Sequence, residues 1–170
     1  MYFSPLPRRE DLLRLLDYHP ETGKFYWKAR PARPGWSRKW AGKEAGTVSK
    51  SKYVSICIEG AKYRAQRLAV VWMGDEIPDG HYVDHVNGCR LLNSYENLRV
   101  ASPLQNAANR APNRGKALPK GVRRMGRKYQ ARLRSRGELL HLGTYTTTAA
   151  ALTAYQAAAK QHFGDFARIA

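Results

Sequence analysis

The sequence predicts an α+β protein in two parts, and three observations predict it. Residues 82–110 read as strand, loop, strand and helix. Residues 121–163 read as three short strands followed by an alanine-rich helix. Between them, Ala-Pro-Asn-Arg-Gly-Lys-Ala-Leu-Pro at 111–119 has two prolines, a glycine and little apolar content, the composition of a linker.

From the N-terminus, Arg8 to Tyr18 reads as a short amphipathic helix whose apolar side is Leu12, Leu13, Leu15 and Leu16. Lys24–Lys28 is strand-like, and Ala29–Lys43, mixing Pro, Gly, Trp and base, reads as a loop. Val54, Ile56 and Ile58 alternate with Ser55, Cys57 and Glu59, the period of a half-buried strand. Glu59-Gly60 then turns into a strand around Lys62–Ala65, and Arg67–Met73 forms a short buried helix. In the second part, Gly121–Met125 is a strand and Gly126-Arg127 a turn. Lys128–Ser135 places Tyr129, Ala131 and Leu133 on one face and Gln130, Arg132 and Arg134 on the other. Arg136-Gly137 turns into Leu139–Tyr145, where Leu140 and Leu142 share a face. Thr146–Thr148 offers N-caps for a helix over 149–163, which Gly164 ends. Tyr145 and Tyr155 are expected in the core.

The 170 residues carry a formal net charge of +17. Residues 1–109 hold 17 basic and 11 acidic side chains, whereas 110–170 hold 13 and 2. From Arg110 to Arg136 there are 11 bases and no acid. A solubility surface mixes signs, so a polyanion, with nucleic acid the commonest, is the expected partner, and an ordinary small-molecule enzyme is disfavoured. Two cysteines, Cys57 and Cys89, are too few for a disulfide framework or a cysteine zinc site. The N-terminal MYFSPLPRRE has no apolar stretch long enough for a signal peptide, and the longest apolar run, Leu68–Met73, is far short of a membrane span. The expectation is a soluble, cytoplasmic protein with no membrane partner.

Chemistry concentrates in 82–110. Asp84-His85 follows strand-like Tyr82-Val83, Asn87-Gly88 signals a turn, and Asn97–Val100 reads as a returning strand. Ser102-Pro103 starts a helix that puts Asn106 and Arg110 four apart on one face. Asp84, His85, Asn97 and Asn106 can therefore converge. Phosphodiester hydrolysis needs an activated water, charge stabilisation on phosphate and help for the leaving 3′ oxygen. Asp84 and Asn106 offer the oxygen ligands a hard cation prefers, and His85 is the general base of the set. Neighbours on a strand point to opposite sides, so Asp84 faces metal and leaving group while His85 faces the attacking water.

With Asn97 twelve residues after His85 and Asn106 nine further on, and with Glu96-Asn97-Leu98 between, residues 10–110 resemble the HNH endonucleases, especially the phage and intron-type homing enzymes with a ββα-metal site. Gly42–Trp72 also resembles the segment preceding the motif in that family. The resemblance implies Mg²⁺, with Mn²⁺ as an alternative, cleavage that leaves 3′-hydroxyl and 5′-phosphate ends, and a role for Asn97 in fixing the loop and the His85 ring, with Asn93 helping to fold that loop. Arg110 stands where some relatives carry a further metal ligand; arginine cannot coordinate Mg²⁺, so it is assigned a phosphate contact. Gln66 stands where relatives often have histidine and cannot carry a proton.

GVRRM (121–125), KYQARLR (128–134), HLGTYTT (141–147) and FGDFARI (163–169) resemble the Apetala or ethylene-response-factor DNA-binding domain, which reads the major groove with its sheet. Arg123, Arg132, Arg134 and His141 are then groove-facing, with Lys120 and Lys128 on phosphates. The implied organisation is a ββα-metal HNH nuclease region over 1–110, a linker over 111–119 and, over 120–170, a three-stranded antiparallel sheet packed on one helix. The expected function is a nicking endonuclease acting on double-stranded DNA, of phage or mobile-element origin, with monomer and homodimer both open. The rivals are a catalytically silent DNA-binding protein, which Gln66 favours, and an RNA-binding protein, which the scarcity of exposed aromatics in the basic sheet disfavours. Trp36 and Trp40 either wedge DNA or pack locally.

Overall fold

A computed structural model describes residues 5–110 and 118–168. Its elements are α1 (Arg9–Leu15), β1 (Leu16–His19), β2 (Lys24–Trp27), α2 (Pro34–Trp40), β3 (Thr47–Val48), β4 (Val54–Ile58), β5 (Ala61–Arg64), α3 (Ala65–Met73), β6 (Tyr82–His85), β7 (Leu98–Ala101), α4 (Pro103–Ala108), β8 (Val122–Met125), β9 (Lys128–Ser135), β10 (Glu138–Tyr145) and α5 (Thr148–Phe163). The fold is α+β, and contacts divide it into two compact units, one ending at Val100 and one beginning at Ala101. That boundary precedes the proline-rich stretch, most of which lies outside the described residues, because Ala108 of α4 packs with Leu133, Tyr155 and Phe163 of the second unit. Among the described residues no helix is long and apolar enough to cross a membrane.

In the first unit the N-terminal helix is shorter than its leucines suggest. Leu16 is extended (φ −133°, ψ 147°) and begins β1, pairing with Trp27 in an antiparallel hairpin. Leu16 is thereby buried from a strand, beside Leu12, Phe25, Ile56 and Leu68 in one core. The expected loop at Ala29–Lys43 contains α2, which has Pro34 in its first turn. Strands β3, β4 and β5 form an antiparallel sheet in that order. The β4–β5 turn uses Glu59 (φ 48°) and Gly60 (φ 84°), both left-handed as a type I′ hairpin requires. β3 escaped the sequence reading because two exposed residues carry no periodicity.

The β1–β2 hairpin supports the loop that follows β6. Gly23 (φ 73°) lies so close that a Cβ there would stand 2.1 Å from the Asn93 carbonyl carbon and 2.3 Å from the Ser94 nitrogen. The Tyr18 hydroxyl donates to the Asn93 carbonyl oxygen at 2.7 Å, and the Tyr95 amide donates to the Pro20 oxygen at 2.8 Å. Burial pushes the Tyr18 phenol well above its ordinary range, which keeps it a donor.

The second unit is the expected three-stranded antiparallel sheet, order β10-β9-β8, packed on α5. Ala131, Leu133, Tyr155, Ala159 and Phe163 are buried between sheet and helix, and Tyr145 packs against the Val122–Ala131–Ala151 cluster. Leu140 and Leu142 both pack against the core, the pairing slips between His141 and Gly143 in a bulge that sets Gly143 opposite Ala131, and the Tyr145 hydroxyl donates to the Leu142 oxygen at 2.8 Å. Thr147 caps α5 by accepting from the Ala150 amide.

The Gly23 contact generates a prediction. Gly60 has open space around its Cβ position, so Gly60→Ala bears only the left-handed backbone cost, about 1–2 kcal/mol. Gly23→Ala adds overpacking of about 1–3 kcal/mol. Urea unfolding of the two variants should show Gly23→Ala as clearly the less stable.

Candidate active site and basic sheet face

β6 delivers Asp84 and His85 side by side, both buried. The chain then turns: the Gly88 amide donates to the His85 oxygen at 2.9 Å and the Cys89 amide to the Asn87 side chain at 2.7 Å. A 3-10 turn at Tyr95–Asn97 leads into β7, which pairs with β6. Asn97 is buried there and braces the loop from both sides. Its Oδ1 accepts the Asn87 amide at 3.0 Å and its Nδ2 donates to the Leu92 oxygen at 2.8 Å.

The His85 ring is held by a different asparagine. His85 Nε2 lies 3.1 Å from Asn93 Oδ1, and Asn93 Nδ2 donates to the Leu91 oxygen at 3.4 Å. That second bond orients the amide with its oxygen toward the imidazole, an arrangement that suits a proton on Nε2. The expectation that Asn97 fixes the ring is therefore corrected: Asn97 fixes the loop and Asn93 the imidazole, because Asn93 is the amide pressed inward by the β1–β2 hairpin. Burial pushes the His85 pKa below its ordinary value, outweighing the hydrogen bond to Asn93 and the Asp84 charge, which raise it; Arg90 adds to the lowering. His85 is thus a neutral base at physiological pH.

Asp84 has a partner that sequence reasoning missed. Arg99 donates to its Oδ2 from Nε at 3.1 Å and from Nη2 at 2.9 Å, with both side chains largely buried. The signal was available: Arg99 sits two residues beyond Asn97 on the returning strand, where an opposite charge across a strand pair is stabilising. Tyr53, Arg64 and Arg90 were missed as well. The Tyr53 ring is 6.2 Å from the His85 ring, with the Arg64 and Arg90 guanidiniums 3.8 and 4.9 Å from its centroid. Arg64 Nη1 is buried with no hydrogen-bond partner among the described residues. Gln66, in the first turn of α3, is buried, and its Oε1 has none either.

Asn106 lies on α4 in the second unit, half-buried, with its amide donating to the Ser102 oxygen at 2.9 Å. A full capping box starts this helix: Ser102 accepts from the Gln105 amide, and the Gln105 side chain accepts from the Ser102 amide. The helix ends at Ala108, so Arg110 falls beyond it, exposed, rather than on the Asn106 face. Lys120, expected on phosphate, is turned inward. Its Nζ donates to the carbonyl oxygens of Ala107, Ala108 and Arg110 at 3.2, 2.5 and 2.9 Å, capping α4 where a cation is favoured. Burial, with Arg168 and Arg110 nearby, lowers the Lys120 pKa.

The basic sheet face follows from register. Arg123 pairs with Gln130, Arg132 with His141, and Arg134 with Leu139, while Val122–Ala131 and Leu133–Leu140 pair inward. Arg123, Lys128, Arg132, Arg134 and His141 therefore share the face opposite α5. Arg123 donates to Gln130 Oε1 at 2.6 Å and Arg134 to the Gly137 oxygen at 3.3 Å, which splays the guanidiniums across the surface.

Breaking a buried ion pair from one side costs about 3–5 kcal/mol, because the remaining charge is stranded. Arg99→Leu should therefore destabilise the protein by roughly that amount in denaturant unfolding, and adding Asp84→Asn should recover part of the loss in a double-mutant cycle.

Residues 63–108 match the family model described as HNH endonuclease. The chain is 34% identical over 93 residues to an uncharacterized HNH endonuclease of Acanthamoeba polyphaga mimivirus, covering 54% of this chain and 48% of that protein. The match thus spans about half the length of the curated relative. Among solved structures it is similar to the HNH homing endonuclease I-HmuI, in a structure described as DNA binding and cleavage, with 20% identity, a TM-score of 0.46, and coverage of 61% of this chain and 55% of that one. Residues 63–108, which run from β5 through Asp84, His85 and Asn97 to the end of α4, match the HNH endonuclease family.

Proposed function

We propose that the chain is a metal-dependent endonuclease that hydrolyses phosphodiester bonds in double-stranded DNA, nicking one strand per active site. The observation that carries this reading is a buried His85, its ring held by Asn93, beside the Asp84 carboxylate and within the segment that matches the HNH family. The mimivirus relative's description as an endonuclease supports the same class.

The ligands proposed for the ion are oxygen donors, the type a hard cation prefers. Among the described residues no group of three or more His, Cys, Asp or Glu is poised to hold a metal. Asp84 and Asn106 would offer such an ion oxygens, the ligand type that Mg²⁺ and Mn²⁺ prefer. The Arg99 bonds to Oδ2 neutralise and orient the Asp84 carboxylate. When bound, such an ion polarises the phosphate and stabilises the leaving 3′ oxygen. His85 Nδ1 takes the proton of the attacking water, while its Nε2–H bond to Asn93 steadies the imidazolium that forms. Asn97 keeps the loop in register. Arg64 and Arg90, on Tyr53 beside His85, add positive charge for the phosphate. The products are 3′-hydroxyl and 5′-phosphate ends.

The second unit is the proposed DNA reader, resembling the Apetala type, with Arg123, Arg132, Arg134 and His141 toward base edges and Lys128, with Arg110, toward phosphate. Lys120 leaves that set because its ammonium caps α4. Gln66 favours a second reading, a DNA-binding protein that keeps the fold without cutting. A phage or mobile-element origin is proposed on the resemblance.

A supercoiled-plasmid assay that includes DNA from the native locus decides between the readings. Conversion to open circle with Mg²⁺, lost in EDTA and in His85→Ala, is the expected result; duplex binding without cleavage, in Mn²⁺ as well, would establish the silent binder. The pH profile is a further prediction. The neutral imidazole is the active form and burial lowers its pKa, so cleavage should rise through an apparent pKa below about 6.5 and level off at neutral pH. Asn93→Ala removes the bond that raises this pKa. It should move the rising limb to lower pH and reduce the plateau by about 10- to 100-fold, the scale of orienting hydrogen bonds.

A further inference from the structure

The lobe between β2 and β3 carries a charge imbalance that the proposed active site does not use. Residues 28–43 contain Lys28, Arg30, Arg33, Arg38, Lys39 and Lys43 and no acid. The lobe is firmly built onto β2. The Trp27 amide donates to the Lys43 oxygen at 3.0 Å and the Gly42 amide to the Trp27 oxygen at 2.8 Å. Ser37 Oγ accepts the Arg30 amide at 2.7 Å and donates to the Arg30 oxygen at 2.9 Å. α2 sets Trp36 edge-on to Trp27, and the Arg30 guanidinium stacks on both rings, 4.0 Å from the Trp36 centroid and 5.1 Å from that of Trp27. Lys39 and Lys43 lie over the Trp40 ring, which is 39% exposed.

Between this lobe and the β3–β5 sheet runs an open groove of about 440 Å³. Trp27, Arg30, Arg33, Trp36 and Trp40 line one side, and Thr47, Ser55, Cys57 and Lys62 the other. Two acids reach it. Glu44 is tied to Lys24 at 2.9 Å, and the Glu59 charge favours that of Arg30. Arg30 Nε is buried with no hydrogen-bond partner among the described residues. A guanidinium stacked on indole rings keeps its planar N–H edge for an anion, and phosphate is the anion that edge fits best. Arg33, Arg38, Lys39 and Lys43 are exposed around it with no acid interleaved, unlike an ordinary solvated face.

We propose that this aromatic and basic groove is a second DNA-binding surface, gripping the phosphodiester backbone of duplex DNA separately from the arginine face of the second unit. The proposal deepens the reading of DNA as partner and does not depend on cleavage. Backbone contacts are sequence-independent, so a mixed-sequence duplex serves as the probe, with full-length protein in EDTA.

Three of the four tryptophans line the groove, and the fourth, Trp72, is half-buried against Tyr18 with its indole donating to the Leu16 oxygen, so intrinsic fluorescence reports chiefly on this surface. Tryptophan emission should change in step with duplex binding followed by anisotropy. The triple variant Arg33→Ala, Lys39→Ala, Lys43→Ala should lower the slope of log K against log salt by about two to three. The charge-preserving triple Arg33→Lys, Lys39→Arg, Lys43→Arg should retain the slope, which separates lost charge from lost folding. Unchanged emission together with an unchanged slope in the alanine triple overturns the proposal. So does an emission change with free mononucleotide and none with duplex, which would reassign the groove to a nucleotide. Protein that shows the slope change but never cuts in Mg²⁺ supports the surface and removes only the nuclease reading.

Discussion

The first unit depends on one close approach: Gly23 against the backbone of Asn93 and Ser94, where no Cβ fits. The turn of the β1–β2 hairpin thereby touches the loop after β6. Tyr18 and Pro20 supply a donor and an acceptor that lock the two together. Asn93 is pinned through its main chain from one side and grips His85 with its side chain on the other. An apolar hairpin core thus ends in the orientation of one imidazole. Sites built on such a packed support lose less freedom when they act than sites carried by loops alone.

Burying an ionisable pair is costly unless each charge is answered. Here the two members are answered differently. Asp84 is answered by Arg99, which places two N–H groups on one carboxylate oxygen. His85 loses its charge because burial outweighs the attraction of that carboxylate. Two asparagines divide the support: Asn97 satisfies the loop's backbone and Asn93 the ring.

The second unit takes in the short helix α4. Six residues cannot sustain a helix unaided. A capping box holds its start, the Lys120 ammonium holds its last carbonyls, and Ala108 inserts beside Leu133, Tyr155 and Phe163. The proposed oxygen ligands Asp84 and Asn106 accordingly belong to different compact units, and the helix bearing Asn106 depends on the sheet that presents the arginines. The bulge at Leu142 shifts the register of that sheet, so that beyond it Gly143 and Tyr145 pair with Ala131 and Tyr129.

The sequence by itself determined the α+β class, the three strands and helix of the second unit, the inward set Ala131, Leu133 and Tyr155, and the order strand, loop, strand, helix around Asp84 and His85. These rest on local rules: alternation, turn residues with left-handed backbones at Arg136 and Gly137, and the serine and threonine caps. The tertiary structure alone decided what contacts distant in sequence impose. Leu16 left its helix because Trp27 offered a strand partner, and residues 34–40 became helical where Trp36 could pack on Trp27 and Arg30. Asn93 rather than Asn97 took the imidazole, Arg99 took Asp84, and Lys120 turned from solvent to the end of α4. In each case a side chain with several possible partners was assigned one by packing, and pattern along the chain carries no information about which.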